Sequence, residues 1–232
     1  MALDKNRLLE LLGNSSGRFA EARTHRTYAV ENELPFDNQR LEFLGDAVLE
    51  IILSDYLIAR YPEADEGELS RMRAVLACES TFAGLARSLE LGSIVQIGRG
   101  EASAGGADRD SILADLFEAV AGACYLELGF ETTRRFFLDL FAATYPEPRR
   151  LLAETNPKGL LQEYAQSRRG ATPRYTVLRI AGPQHLPTYE VESRLFGVVA
   201  LGRGRSRKLA EMDAARRLYQ YFSGRRDHEV SN

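Results

Sequence analysis

The chain has 232 residues, 44% of them apolar, which is enough to bury the core of one or two domains, and its net charge is only −3. Its two cysteines, Cys78 and Cys124, belong to no CxxC pair, which argues against a disulfide scaffold or a zinc site. No basic stretch followed by an apolar core opens the chain, and no uncharged apolar run approaches the roughly 18 residues of a membrane span. We therefore expect a soluble, cytoplasmic protein with no membrane partner.

Most of the chain up to the first proline-rich segment has the apolar periodicity of helices. Residues 39–60 predict a long helix that ends where Pro62 and Gly67 interrupt the pattern. Further helices are predicted at 5–12, twice within 68–92, at 111–128 and at 131–143. Because no strong strand pattern occurs before Pro146, we expect an all-α first domain.

The composition changes after the stretch YPEPRRLLAETNP, residues 145–157, whose three prolines predict a linker. A helix is predicted at 157–169 with Gly170 beyond its end, and a closing helix at 206–222 with Ser206 as its N-cap. Three β-branched and aromatic segments between them predict strands at 173–182, 188–197 and 198–204. The expected fold class is therefore multi-domain, an all-α domain followed by a small α+β domain of order α-β-β-β-α.

Charge is also divided between the two parts. Residues 1–150 carry 16 Lys and Arg against 25 Asp and Glu, whereas residues 151–232 carry 14 against 8. An acidic first part joined to a basic second part indicates two units with different tasks.

Four acids interrupt two otherwise apolar helical segments. Glu42 and Asp46 are four residues apart, and Asp115 and Glu118 are three apart, so each pair projects from one helix face. Burying carboxylates costs free energy, and neighbouring carboxylates repel each other. If the two helices pack together, the four acids converge and need a counter-charge. A hard divalent cation, Mg²⁺ or Mn²⁺, supplies that charge through oxygen ligands.

Residues near these acids leave two interpretations open. Gly45, Ala114 and Gly122 are small enough to allow close approach of the helices or room for a ligand. Alternatively, the acids form salt bridges to Arg71 and Arg73 or lie on a solvated helix surface. Two acid pairs, each inside an apolar helix, favour the metal site.

The stretch NQRLEFLGDAVLE, residues 38–50, closely resembles the signature of the ribonuclease III family. Four further stretches resemble the family in order along the chain: HRTYAVEN (25–32), DEGELSRMRA (65–74), LELGSIVQIGRGE (89–101) and DSILADLFEAVAGACYLE (110–127). Residues 156–222 resemble a double-stranded-RNA-binding domain. The resemblance implies a nuclease domain at 1–145, a linker at 146–155, an RNA-binding domain at 156–224 and a disordered tail at 225–232.

The function that this resemblance implies is an endoribonuclease that hydrolyses phosphodiesters of double-stranded RNA with Mg²⁺, for which Mn²⁺ substitutes. The family works as a homodimer, leaves short 3′ overhangs, and processes precursor ribosomal RNA and structured messenger RNA. We expect the dimer contact to involve Phe43 and Leu44.

The family's site residues can be carried over by position. Glu42, Asp46, Asp115 and Glu118 match the metal-site acids, with Asp46 orienting the attacking water and Glu118 ligating the metal. Glu66 matches a further acid that lines the family's cleft. The chain departs from the family at position 39, where Gln39 replaces an acid that is common there.

A basic cluster in the second domain is the predicted RNA contact. Arg203, Arg205, Arg207 and Lys208 lie at or before the start of the last helix, where backbone N–H groups also favour phosphate. Because duplex RNA is read by shape, phosphates and 2′-hydroxyls, polar side chains are needed beside this cluster. By resemblance, those that reach the minor groove are Gln162, Glu163 and His185. The alternatives are a solvated helix face for the cluster and a solvated loop position for His185.

Two other functions are compatible with parts of the sequence. A non-catalytic binder of double-stranded RNA would keep the fold, but it would tolerate loss of the four acids. A helical phosphohydrolase acting on small nucleotides would need the acids but not the basic second domain. We assign no role to His228, and packing best explains His25.

Overall fold

The structure, a computed structural model, describes residues 5–13, 17–183 and 185–223. The chain divides into two compact units, and the division falls after Pro148. The predicted tail, residues 225–232, lies outside the described residues.

The first unit is helical, as predicted. Its helices are α1 (Lys5–Gly13), α2 (Gly17–Ala22), α3 (Arg26–Glu31), α4 (Gln39–Arg60), α5 (Glu66–Leu76), α6 (Glu79–Ser88), α7 (Arg99–Ser103), α8 (Asp110–Leu128) and α9 (Phe130–Thr144). Two short 3₁₀ turns, Leu91–Ser93 and Gly106–Asp108, flank α7. The predicted long helix at 39–60 is confirmed at both ends.

Three short helices, α2, α3 and the five-residue α7, were not predicted, because none of them is long enough to establish a period. Helices α2 and α3 have six residues each. His25 caps α3: its Nδ1 accepts a hydrogen bond from the backbone N–H of Thr27. The structure thus gives His25 a capping hydrogen bond at the start of a helix, where packing was expected.

Helix α8 is the centre of the first unit. It packs against α4 and α6, and most of its side chains are buried. A helix that is apolar on nearly all sides must be surrounded by protein, so its polar positions stand out. The ring of Phe117, a buried residue of α8, lies within 5.3–6.1 Å, centroid to centroid, of the rings of Phe82, Phe137 and Phe141. This aromatic cluster fixes the position of α8.

Helices α4 and α8 cross at two glycines. A Cβ on Gly45 would overlap the backbone carbonyl of Glu118, and a Cβ on Gly122 would overlap that of Leu41. Any side chain here would push the helices apart. The prediction that Gly45 and Gly122 allow close approach is therefore confirmed.

The second unit has the predicted α-β-β-β-α order. Helix α11 (Pro157–Arg169) is followed by β1 (Arg174–Ala181), β2 (Thr188–Leu195), β3 (Val198–Gly204) and α12 (Arg207–Ser223). The strands form an antiparallel sheet in the order β1-β2-β3. An additional helix, α10 (Pro148–Thr155), occupies most of the segment predicted as a linker.

The core of the second unit lies between the sheet and its helices. Its buried residues are Leu161, Ala165, Leu195, Ala215, Leu218 and Phe222. Helix α12 lies directly on β3, because a Cβ on Gly202 would overlap backbone atoms of Ala210 and Ala214. Gly170 ends α11 in the left-handed conformation, with φ of 62°, which glycine adopts without steric cost.

Two further expectations concern the whole chain. Among the described residues, no helix is both long and apolar enough to cross a membrane. Both cysteines are free thiols, with Cys124 buried and Cys78 partly buried.

Candidate functional site

Three of the four predicted acids meet at the crossing of α4 and α8. Carboxylate oxygens of Glu42, Asp115 and Glu118 all lie within 4.8 Å of one another. The close glycine contact brings the two helix faces together, so the acids of one helix reach those of the other. Each carboxylate is partly buried. Three oxygen donors at this spacing form a group that could hold a metal ion.

The carboxyl groups of the site repel one another, and this repulsion makes them harder to ionise. Burial, together with the charges of Asp46, Glu42 and Asp115, raises the pKa of Glu118 to about 8. Burial and neighbouring acids, first among them Asp115, also raise the pKa of Glu42. Carboxylates that resist ionisation in the absence of a cation are those that a bound cation stabilises most.

Asp46 lies beside this group rather than in it. Its side chain is exposed, and it is not one of the three acids whose oxygens meet. Its negative charge nevertheless raises the pKa of both Glu42 and Glu118. The structure therefore brings together three of the predicted acids and leaves the fourth at the edge, facing solvent.

The alternative in which arginines neutralise the acids does not occur in the part of the chain that the structure describes. There, none of the four acids forms an ion pair with Lys or Arg. Arg73, one of the two candidate partners, donates instead to Ser54 Oγ at 2.9 Å. Among the described residues, the charge of the cluster is thus left without a Lys or Arg counter-ion.

Three charged groups that were not assigned to the site from the sequence also affect the pKa values of its acids. Burial raises the pKa of Asp115, while the charge of His25 opposes this rise and that of Glu79 adds to it. Asp37 likewise contributes to the raised pKa of Glu42. His25 lies in a stretch that resembles the family, and this was the one signal that could have identified it.

Glu66, the predicted cleft acid, lies elsewhere in the first unit. It begins α5, accepts a hydrogen bond from Ser70 Oγ at 2.9 Å and is not part of the three-carboxylate group. With Ile58 and Arg73 it lines a separate cavity of about 440 Å³.

In the second unit, two members of the predicted basic cluster, Arg203 and Arg207, are paired with acids. Arg203 is paired with Glu190 across the sheet at 2.8 Å, and its backbone N–H donates to Asp213. Arg205 and Lys208 are exposed. Arg207, also exposed, donates through Nε to Glu211 at 2.8 Å.

The three polar residues expected at the minor groove lie on the described surface. Gln162 and His185 are exposed, and Glu163 is half-buried. Gln162 and Glu163 are on α11, and His185 is in the turn between β1 and β2.

Known families match both units. Residues 18–144 match the family described as Ribonuclease-III-like, and residues 157–222 match the double-stranded RNA binding motif. The chain belongs to the ribonuclease III family. It is accordingly an endoribonuclease that carries a double-stranded-RNA-binding domain, as its sequence predicted.

Relatives in the ribonuclease III family cover most of the chain. The chain is 43% identical over 208 residues to Ribonuclease 3 of Heliobacterium modesticaldum, with 88% of each chain covered. It is 44% identical over 200 residues to Ribonuclease 3 of Symbiobacterium thermophilum, covering 84% of this chain and 83% of the relative. The similarity thus spans both domains.

A solved structure from the same family matches the first unit. The nuclease domain of ribonuclease III from Campylobacter jejuni is 35% identical to this chain, with a TM-score of 0.55. The match covers 62% of this chain and all of that domain. The helices that carry Glu42, Asp115 and Glu118 therefore belong to a ribonuclease III nuclease domain.

Proposed function

We propose that Glu42, Asp115 and Glu118 hold a divalent cation, Mg²⁺ in the first instance and Mn²⁺ as a substitute, with Asp46 beside it. The observation that carries this proposal is the meeting of three carboxylates that pair with no Lys or Arg among the described residues. An all-oxygen donor set suits a hard cation, and Mg²⁺ typically binds a few carboxylates plus phosphate oxygens. The residues present therefore fit the ion.

The reaction we propose is hydrolysis of a phosphodiester in duplex RNA. A bound Mg²⁺ lowers the pKa of a water, orients it and stabilises negative charge on the phosphate. Glu42, Asp115 and Glu118 would hold the ion, and its positive charge would favour their ionised forms. Asp46, exposed at the edge of the group, would accept a hydrogen bond from the attacking water and orient it.

We further propose that two copies of this chain act together. The Campylobacter jejuni domain is described as having a region involved in dimer formation, and Phe43 of α4 is 82% exposed here. An aromatic ring left this exposed beside Leu44 provides an apolar contact for a partner surface. Two sites in a homodimer would cut the two strands and leave short 3′ overhangs.

The cellular substrates we propose are duplex regions of precursor ribosomal RNA and structured messenger RNA, in the cytoplasm. Binding of these duplexes would involve Gln162, Glu163, His185, Arg207 and Lys208. Glu66 would act from its own cavity as an accessory acid when RNA is bound. We also propose that the nuclease domain spans residues 1–145 and that the RNA-binding domain spans residues 156–224.

The experiment that tests the proposed chemistry replaces Glu118 by Gln. A neutral amide is a poor ligand for a hard cation, so cutting of a long perfect RNA duplex should be lost in saturating Mg²⁺. Duplex binding without Mg²⁺, measured by a mobility shift, should stay near the wild-type level because the RNA is held mostly by other residues. Near-normal turnover by Glu118→Gln would contradict the metal assignment. A matched variant, Glu127→Gln, controls for loss of one acid from the same helix, because Glu127 is an exposed residue of α8.

A further inference from the structure

An acid lies within the basic surface of the RNA-binding domain. Glu211, on the first turns of α12, is only 9% exposed. Its carboxylate accepts hydrogen bonds from Lys158 Nζ at 2.6 Å and from Arg207 Nε at 2.8 Å. Although burial opposes ionisation, these two hydrogen bonds lower the pKa of Glu211. The acid therefore remains charged and bridges two cations.

The two cations come from different helices. Lys158 is the second residue of α11, and Arg207 is the first residue of α12. The single carboxylate therefore ties the starts of both helices together. Lys158 is also held by the sheet, because its Nζ lies 4.5 Å from the centre of the Tyr175 ring on β1.

Both cations keep hydrogen-bonding capacity for another anion. An ammonium has three N–H donors and a guanidinium has five, and Glu211 takes one from each. The side chains of Lys158 and Arg207 remain 40% and 66% exposed. Two positive charges against one negative charge leave a net positive charge of one at the surface.

Fixing these side chains in advance matters for binding. Lys and Arg side chains lose much rotamer freedom when they are ordered on a ligand, and a group ordered beforehand avoids that loss. Glu211 and the Tyr175 ring both contact the ammonium group of Lys158 and restrict its position. Glu211 also fixes the orientation of the Arg207 guanidinium. The Nη groups of Arg207 are then free of Glu211 and suited to a phosphate.

We propose that Glu211 is a positioning residue that presents Lys158 and Arg207 together as a phosphate-binding pair, and that Lys158 contacts the RNA backbone. The proposal deepens the function proposed above and rests on the binding of duplex RNA at the start of α12. Lys158 was not identified by sequence reasoning, because a lone lysine at a helix start carries no signal.

The direction in which one substitution changes RNA affinity distinguishes a positioning role of Glu211 from an effect of net charge alone. Removing a negative charge from a domain that binds a polyanion should strengthen binding if only the net charge matters. Loss of a positioning carboxylate should weaken binding, because both cations lose their fixed orientation. Glu211→Gln therefore gives opposite results under the two accounts.

The test uses the full-length chain and a labelled perfect RNA duplex in EDTA, so that no cutting occurs. The dissociation constant is measured over a series of KCl concentrations for the wild type, Glu211→Gln and Glu192→Gln. Glu192 is a matched control, because it is a half-buried acid of the same domain that pairs with Arg194 at 2.9 Å on the sheet. We expect Glu211→Gln to raise the dissociation constant by about threefold or more at 150 mM KCl and to reduce the salt slope by about one. Glu192→Gln should leave both unchanged or bind slightly more tightly.

A variant cycle distinguishes positioning from a general loss of structure. Lys158→Gln alone should reduce the salt slope by about one. When Lys158→Gln and Arg207→Gln are both present, adding Glu211→Gln should not weaken RNA binding further. A structural defect caused by Glu211→Gln would still weaken RNA binding in this background. Thermal unfolding of each variant is followed by circular dichroism.

Several outcomes would overturn the inference. An unchanged or lower dissociation constant for folded Glu211→Gln would do so, as would an unchanged salt slope for Lys158→Gln. If Glu211→Gln does not fold, the salt dependence of RNA binding by Lys158→Gln decides whether the inference stands. Failure of the wild type to bind the duplex would instead refute the proposed function, and with it the inference.

Discussion

Gly45 and Gly122 face each other across the contact of helices α4 and α8, and neither position has room for a Cβ. The backbone carbonyls of Glu118 and Leu41 occupy the space that the side chains would need. The same contact sets the distance between Glu42 on one helix and Asp115 and Glu118 on the other. Packing at two glycines thus determines the geometry of the proposed metal site.

Replacing Gly45 by Ala should therefore destabilise the nuclease domain and impair cutting. Because the obstructing atom belongs to backbone, it cannot rotate away, and we expect a loss of about 1–3 kcal/mol in the free energy of unfolding. Urea denaturation followed by circular dichroism measures this loss. Gly100→Ala on α7 is the matched control, since no atom lies within 4 Å of its added Cβ. Equal stabilities of the two variants would show that the helix contact is looser than the structure indicates.

The stability of the metal-free protein should depend on the protonation of Glu118. Its pKa is about 8 in the folded chain, above its ordinary value of 4.5, so the folded state binds more protons than the unfolded state between these pH values. Stability should therefore fall as the pH rises from about 4.5 to about 8. Scanning calorimetry in EDTA measures this fall, which should be smaller in Glu118→Gln. Identical pH profiles for the two proteins would contradict the uncompensated charge of the cluster.

Addition of Mg²⁺ should raise the unfolding temperature of the nuclease domain without RNA. A ligand that binds only the folded state stabilises it in proportion to the logarithm of its concentration, with about 2.7 kcal/mol gained at one hundred times the dissociation constant. Scanning calorimetry of the full chain in Mg²⁺ and in EDTA measures the shift. Glu118→Gln should show little of it. A full shift in this variant would place the cation elsewhere.

Phe43→Ser should weaken the proposed dimer. A buried aromatic contact of this kind is typically worth about 2 kcal/mol or more, so the dimer dissociation constant should rise by roughly 30-fold. Sedimentation velocity over a micromolar concentration series measures the change. Leu201→Ser removes an apolar side chain that is 48% exposed in the other domain, and it should leave the dimer intact. A wild-type chain that is monomeric at micromolar concentration would contradict the dimer itself.

A truncation that ends at Pro148 should still cut duplex RNA at low salt and fail as salt rises. The proposed metal ligands are retained, whereas the cations of the second domain, whose phosphate contacts release counterions, are removed. The truncation should end at Pro148 rather than at Tyr145, because Arg60 donates to the carbonyl of Pro146 at 2.8 Å and pairs with Glu147 at 2.9 Å. Initial cutting rates between about 50 and 200 mM KCl test the expectation.

Full-length Arg207→Ala/Lys208→Ala should reproduce much of that salt sensitivity. A truncation that is inert at every salt concentration, while remaining a folded dimer, would mean that the second domain does more than bind.

Local features of the sequence determined most of the secondary structure and the acidic character of the site residues. The apolar period over residues 39–60 predicted α4, and Gly170 predicted the end of α11, because both depend on near neighbours in the chain. Spacing alone placed Glu42 with Asp46, and Asp115 with Glu118, on helix faces. The short helices α2, α3 and α7 were missed, because a pattern of five or six residues is not distinguishable from a loop.

Only the tertiary structure decided which of these side chains meet. Helix periodicity places Glu42 and Asp46 on one face, but the point where α8 crosses α4 brings Glu42 into the cluster and leaves Asp46 exposed. Strand register pairs Arg203 with Glu190, an acid on the neighbouring strand. Glu211 bridges Lys158, which is 53 residues away. These contacts depend on packing between distant segments, which no local pattern encodes.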